Sequence, residues 1–152
     1  MATFRYERRE ETITAPGSNL KYREPIQRAA QQYRVNPALV AAIIKASSDF
    51  DPSARGPAGG VGLMLLPKEV IQALGVIDAL NPEQNIDAGA HWFSQLLVRY
   101  GGDESKVIAA FNCGPSRLDQ AGGIPPDKET QEFVKNILKY KAEYGSLFQK
   151  SP

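Results

Sequence analysis

From Leu20 onward the apolar positions repeat at three- and four-residue spacing, interrupted by residues that start and stop helices. The stretch "EPIQRAAQQYR" (24–34) carries Pro25 near its start, where a missing N–H is tolerated. Asn36 and Pro37 read as N-cap and first helical residue of "NPALVAAIIKAS" (36–47). In that helix Leu39, Ile43 and Ala46 share one face, as a core helix requires. The segment "DPSARGPAGGVG" (51–62) is too rich in Gly and Pro to continue it and reads as a constrained loop. Pro67 opens "PKEVIQALG", which Gly75 closes. Asn81-Pro82 starts a longer helix that ends at Gly101-Gly102. Asp103 caps "DESKVIAAFN", and Gly114-Pro115 stops it. After a loop at 122–126, Pro126 or Asp127 starts the last helix, "KETQEFVKNILKYKAEY" (128–144). A strand-like alternation of comparable strength occurs only within residues 1–14, so the fold class is mostly α.

Residues 1–19 stand apart. Phe4, Tyr6 and Ile13 are set among charges, and "TAPGSN" then breaks the chain. The expected organisation is an N-terminal extension or arm over 1–19 and one domain over 20–150. The arm is a candidate for docking a protein partner or a second copy of the chain.

Composition narrows the function classes. With 152 residues, 42% hydrophobic and 23% charged, the chain suits one ordinary globular domain. A net charge of +1 and no basic cluster interleaved with aromatics speak against a nucleic-acid partner. The single cysteine, Cys113, excludes an intrachain disulfide and reads as a small core residue. The single histidine, His91, falls in a helical stretch and reads as structural, so no metal or other cofactor is expected. No apolar run is long enough for a membrane span. The start, "MATFRYERREETITAPG", has no apolar segment and does not read as a signal peptide, which leaves the compartment open.

Five segments in order carry a family resemblance: "AIIKASSDFDP" (42–52), "GPAGGVGLMLLP" (56–67), "NIDAGAHWFSQLL" (85–97), "AAFNCGP" (109–115) and "ETQEFV" (129–134). Together they resemble the soluble-type lytic transglycosylase (SLT) domain, of the lysozyme-like fold, over roughly residues 22–145. The resemblance implies a lysozyme-like single domain whose substrate is the glycan strand of peptidoglycan. It also implies the family's chemistry. One glutamate protonates the leaving oxygen of the β-1,4 bond between N-acetylmuramic acid and N-acetylglucosamine, then acts as base while the sugar's O6 closes a 1,6-anhydro ring. Such a group must give and retake a proton near neutral pH, which a carboxyl of raised pKa can do.

Ser47 occupies that glutamate's place, and Ser48 the place of the family's serine. A hydroxyl cannot shuttle the proton, and loss of general acid–base help costs about 10²- to 10⁴-fold. Other places differ as well. Leu65 stands where the family has a glutamine that lines the sugar site. Phe111 and Phe133 stand where it has tyrosines. Met64, Asn112, Gly114 and Glu129 match the pattern. By resemblance the substrate-binding set is therefore Ser48, Met64, Leu65, Phe111, Asn112, Glu129 and Phe133, around a cleft between the 39–47 helix and the 109–133 region.

Two readings stand. In the first, the domain has lost catalysis and serves as a binding or structural module in a cell-envelope or phage assembly. In the second, it is an active lytic transglycosylase with a displaced acid, for which Asp49, Asp51, Glu69 and Glu129 are the candidates, Asp49 first. On a continuing helix Asp49 would point about 200° away from Ser47, so that role needs a rearranged backbone.

Overall fold

The computed structural model describes residues 20–56 and 58–148. The expected arm at 1–19, with its strand-like alternation and its proposed docking role, lies outside these residues. The described residues form α1 (Arg23–Tyr33), α2 (Pro37–Ser48), α3 (Lys68–Ala73), α4 (Pro82–Arg99), α5 (Glu104–Cys113), α6 (Pro115–Ala121) and α7 (Lys128–Tyr144), then a 3₁₀ turn at Gly145–Phe148. Among them, pairing in the β sense is limited to isolated bridges, Arg55 with Val61 and Val61 with Leu66. No helix of the described residues is long and apolar enough to cross a membrane.

The caps sit where the sequence puts them. Asn36 Oδ1 accepts from the N–H groups of Ala38 and Leu39 at 2.8 and 3.3 Å, satisfying donors that the first helical turn leaves open. Asn81, Asp103 and Asp127 do the same for α4, α5 and α7. The one helix not expected is α6. Gly114, at φ +89°, stops α5, and Pro115 is at once the first residue of a new helix. Asp119 of α6 is held by Arg99 and by the Tyr100 hydroxyl, so α6 docks on the end of α4.

One expectation was too narrow. α2 is buried on every side from Ala38 through Ile44, not on one face. It packs against α7 and α1, and α1 in turn against α4. A helix apolar all round belongs at the centre of a domain, and α2 is that central element. Ile26, Leu39, Ile43, Ile86, Phe93, Ile108 and Ile137 meet around it without solvent exposure beyond 1%. Only Pro37 and its last turn, 45–48, reach partial exposure.

Candidate functional site

α2 ends because Asp49 and Phe50 both take left-handed backbone angles, φ 51° and 65°. The chain then reverses into the glycine-rich loop, which folds back through Gly56 N–H to Gly60 C=O (2.9 Å) and the paired bonds between Val61 and Leu66 (3.0 Å). Asn85, fully buried in the first turn of α4, pins this loop to the body. Its Oδ1 accepts from Met64 N–H at 2.8 Å, and its Nδ2 donates to the carbonyls of Val61 and Ala79 at 2.9 Å. Sequence reasoning missed Asn85. Its signal is an asparagine inside an apolar helical face, where a polar group must be matched.

Between this loop and the facing ends of α5 and α7 lies a cavity of about 300 Å³. The loop contributes Gly56, Gly60 and Leu65, α5 contributes Phe111, Asn112 and Cys113, and α7 contributes Glu129 and Phe133. Five of the expected site residues (Leu65, Phe111, Asn112, Glu129 and Phe133) thus come together. The chamber is mostly apolar, with a carboxamide and a carboxylate as its charged or hydrogen-bonding side chains.

Three expected residues are placed elsewhere. Met64 is 1% exposed and packs against Gly89 of α4, so it supports the loop from beneath. Ser48 Oγ donates to the Ile44 carbonyl of its own helix at 3.1 Å. Ser47 is half-buried in the last turn of α2 and is not among the lining residues; its hydroxyl has no hydrogen-bond partner among the described residues. The cavity is therefore walled by the loop and the 110–133 region. No residue of α2 is among the lining residues.

The candidate acids separate clearly. Asp49 pairs with Lys45 at 2.6 Å, and that bond holds the Lys45 ammonium above its ordinary pKa, with Tyr144 and Tyr140 adding to it. Asp49 is exposed and is not among the residues that line the cavity. Asp51 accepts from Ser53 N–H and Oγ–H at 3.0 and 2.8 Å, which lowers its pKa and suits it to a turn. Glu69 is exposed and outside the lining. Glu129 alone of the four stands in the cavity wall, exposed at its rim.

Phe111 also packs inward. Its ring lies 4.5 Å from that of Trp92 and 5.8 Å from that of Phe93, both tilted by about 45°. Cys113 is a wall residue and not a core one. Its Sγ donates to the Gly114 carbonyl at 3.4 Å, and burial raises its thiol pKa, which keeps it protonated and a poor nucleophile. His91 stacks on Tyr33, with ring centroids 4.7 Å apart, and is not among the residues that line this chamber.

Behind Asn112 stands a second polar group that sequence reasoning did not single out. Thr130, 1% exposed, places Oγ1 at 2.9 Å from Asn112 Oδ1 and 2.7 Å from Asp127 Oδ2. Asp127 is further bound by Arg117 at 2.6 Å. The Thr130 hydroxyl, then its N–H, hold the Asp127 carboxyl below the usual carboxylate range, with Arg117 helping.

Comparison with known proteins agrees with this architecture. The transglycosylase SLT domain family matches residues 24–134. A transglycosylase of Enterobacteria phage PRD1 is 35% identical over 118 residues, covering 78% of this chain and 43% of that protein. Membrane-bound lytic murein transglycosylase F 1 of Alkalilimnicola ehrlichii is 37% identical over 107 residues, covering 66% of this chain and 22% of that one. Among solved structures, an inactive mutant of lytic transglycosylase Slt from Pseudomonas aeruginosa superposes with a TM-score of 0.73 at 28% identity, over 82% of this chain and 24% of that one. The chain thus spans less than half the length of these relatives, and its fold is the all-α, lysozyme-like one.

Proposed function

We propose that this chain, which belongs to the transglycosylase SLT domain family, holds peptidoglycan glycan strands without cleaving them. The observation that carries this reading is the cavity beside the glycine-rich loop. It keeps Asn112 among the apolar side chains of Leu65, Phe111 and Phe133, a combination that suits a sugar ring with an N-acetyl group. The residue in the place of the family's glutamate, Ser47, offers a hydroxyl with no partner to activate it. A cavity able to take a sugar beside a position without a proton shuttle supports binding over cleavage.

A second reading has one observation in its favour. Glu129 is a carboxylate in the cavity wall, so a displaced acid would be Glu129, in place of the Asp49 expected first. One experiment separates the two. Purified sacculi are incubated with the protein, with Ser47→Glu and with Glu129→Gln, and the soluble products are resolved for anhydro-muropeptides while pelleted protein is measured. The binding reading expects co-pelleting with no release by the wild type. Release that disappears in Glu129→Gln would establish the second reading instead.

A further inference from the structure

The contacts around Thr130 decide which way the Asn112 carboxamide faces. Thr130 Oγ1 lies within hydrogen-bond distance of two groups, Asp127 Oδ2 at 2.7 Å and the Asn112 amide head at 2.9 Å. A hydroxyl has one proton to donate. An ionised carboxylate can only accept, and Asp127 is kept ionised by Arg117 at 2.6 Å and by the Thr130 N–H at 3.0 Å. The proton therefore goes to Asp127, since two acceptor oxygens at 2.7 Å with none between them would repel. The Asn112 head facing Thr130 must then be a donor. A carboxamide's oxygen and nitrogen are assigned by what surrounds them, and here the surroundings require the NH₂ inward. The other head has no partner among the described residues, and Asn112 lines the cavity.

We propose that Thr130 is a positioning residue that holds the Asn112 NH₂ inward, so that the Asn112 carbonyl faces the cavity and selects ligands with an N–H donor, such as a secondary amide, over those with an ether or carbonyl oxygen at that point. The chain of bonds runs Asn112 Nδ2–H to Thr130 Oγ1, Thr130 Oγ1–H to Asp127, with Arg117 closing it. Thr130 and Asp127 each meet a complementary partner in this arrangement, and reversing the amide would leave two acceptors facing each other. The ligand class rests on the glycan-holding reading. The amide orientation does not.

The test has two arms. In the first, hydrogen exchange of the Asn112 side-chain amide is followed by NMR in the free protein, in Thr130→Val and in Thr130→Ser. The expected result is slow exchange in the wild type and Thr130→Ser, and about tenfold faster exchange in Thr130→Val. Equal exchange in all three, with the fold intact by backbone spectra, would overturn the orientation. In the second arm, tri-N-acetylchitotriose and a cellotriose methylated at its 2-hydroxyls, which offers only ether oxygens in place of the acetamido N–H, are titrated by calorimetry. Preference for the acetamido sugar by about tenfold is expected, lost in Thr130→Val and recovered in Thr130→Ser. A wild type that binds neither sugar, or both equally, overturns the ligand class. If slow exchange persists in that case, only the glycan reading has failed. Should Thr130→Val not fold, Thr130→Ser and Asp127→Asn carry both arms, since Asp127→Asn supplies an amide that can donate to Thr130 and so frees the hydroxyl proton for the reversed orientation.

Discussion

The Asn85 carboxamide fills the space in which a Cβ on Gly62 would stand. A Cβ there would also come within 2.6 Å of the Ala79 carbonyl oxygen, and Gly62 sits at φ +84°. The glycine is thus required twice, by backbone angle and by the close approach of Asn85. Gly62→Ala is expected to destabilise the fold by about 2 kcal/mol or more, from the left-handed backbone and the steric conflict together. Asn85→Ala is expected to cost at least about 3 kcal/mol, because it strands the Met64 N–H and two carbonyls in a buried place. Urea denaturation measures both. A loss under 1 kcal/mol in Asn85→Ala would mean that the loop does not depend on this carboxamide.

Gly89 and Met64 form a second such contact. A Cβ on Gly89 would stand 2.9 Å from Met64 Cε and closer still to its sulfur, in a site where Met64 is 1% exposed. Gly89→Ala is expected to cost about 1–3 kcal/mol through overpacking. The cost should shrink in a Met64→Ala background, which vacates that volume. A double-mutant cycle reads the coupling, and additive effects would show that the two residues do not share the space.

Restoring a carboxyl by Ser47→Glu is expected to give at most slow release of anhydro-muropeptides. Leu65 and Phe111 would still lack the amide and the phenol that the family pattern has at those places. Each hydrogen bond to a charged group contributes about 1.5–3 kcal/mol, roughly one to two powers of ten in rate. Adding Phe111→Tyr and Leu65→Gln should therefore raise the rate in steps. A rate near that of an active relative from Ser47→Glu alone would show that the acid was the sole loss.

Asp127 sets an acid limit on stability. Its carboxyl is held below its ordinary pKa in the folded chain by Thr130 and Arg117. A lowered folded-state pKa contributes stability in full above the unfolded value, near 3.9, and loses it as pH falls through the folded value. The melting temperature of the wild type should therefore fall more steeply below about pH 4 than that of Asp127→Asn. Asp51 and Asp119, whose pKa values are lowered in the same sense, remain in both proteins, so the difference isolates Asp127. Parallel curves would show that the Thr130 contact adds nothing to stability.

The helix starts were legible in the chain itself because a cap is a contact between residues two or three apart. Asn36, Asn81, Asp103 and Asp127 all cap as their local sequence predicts. The same locality explains the one missed helix. Gly114-Pro115 signals a stop and a start with equal strength, and what makes 115–121 a helix is Asp119 meeting Arg99 and Tyr100 from twenty residues away in sequence. The family's motifs, being ordered strings, were likewise readable, and with them the all-α fold.

Which motif residues share a chamber was decided only by the tertiary structure. Met64 and Leu65 are neighbours in sequence, yet one is locked under the loop and the other lines the cavity, because Leu65 takes φ 47° while Asn85 grips the Met64 N–H. Asp49 and Glu129 looked equivalent as carboxylates. The left-handed turn at 49–50 sends Asp49 to Lys45, whereas the start of α7 brings Glu129 to the cavity. Thr130, an ordinary helical threonine in the string, gains its position from the packing of α5 on α7. Patterns of three to four residues record the helical repeat. The direction of a side chain at a crossing of elements is set by contacts twenty or more residues apart, and those follow from how the layers close.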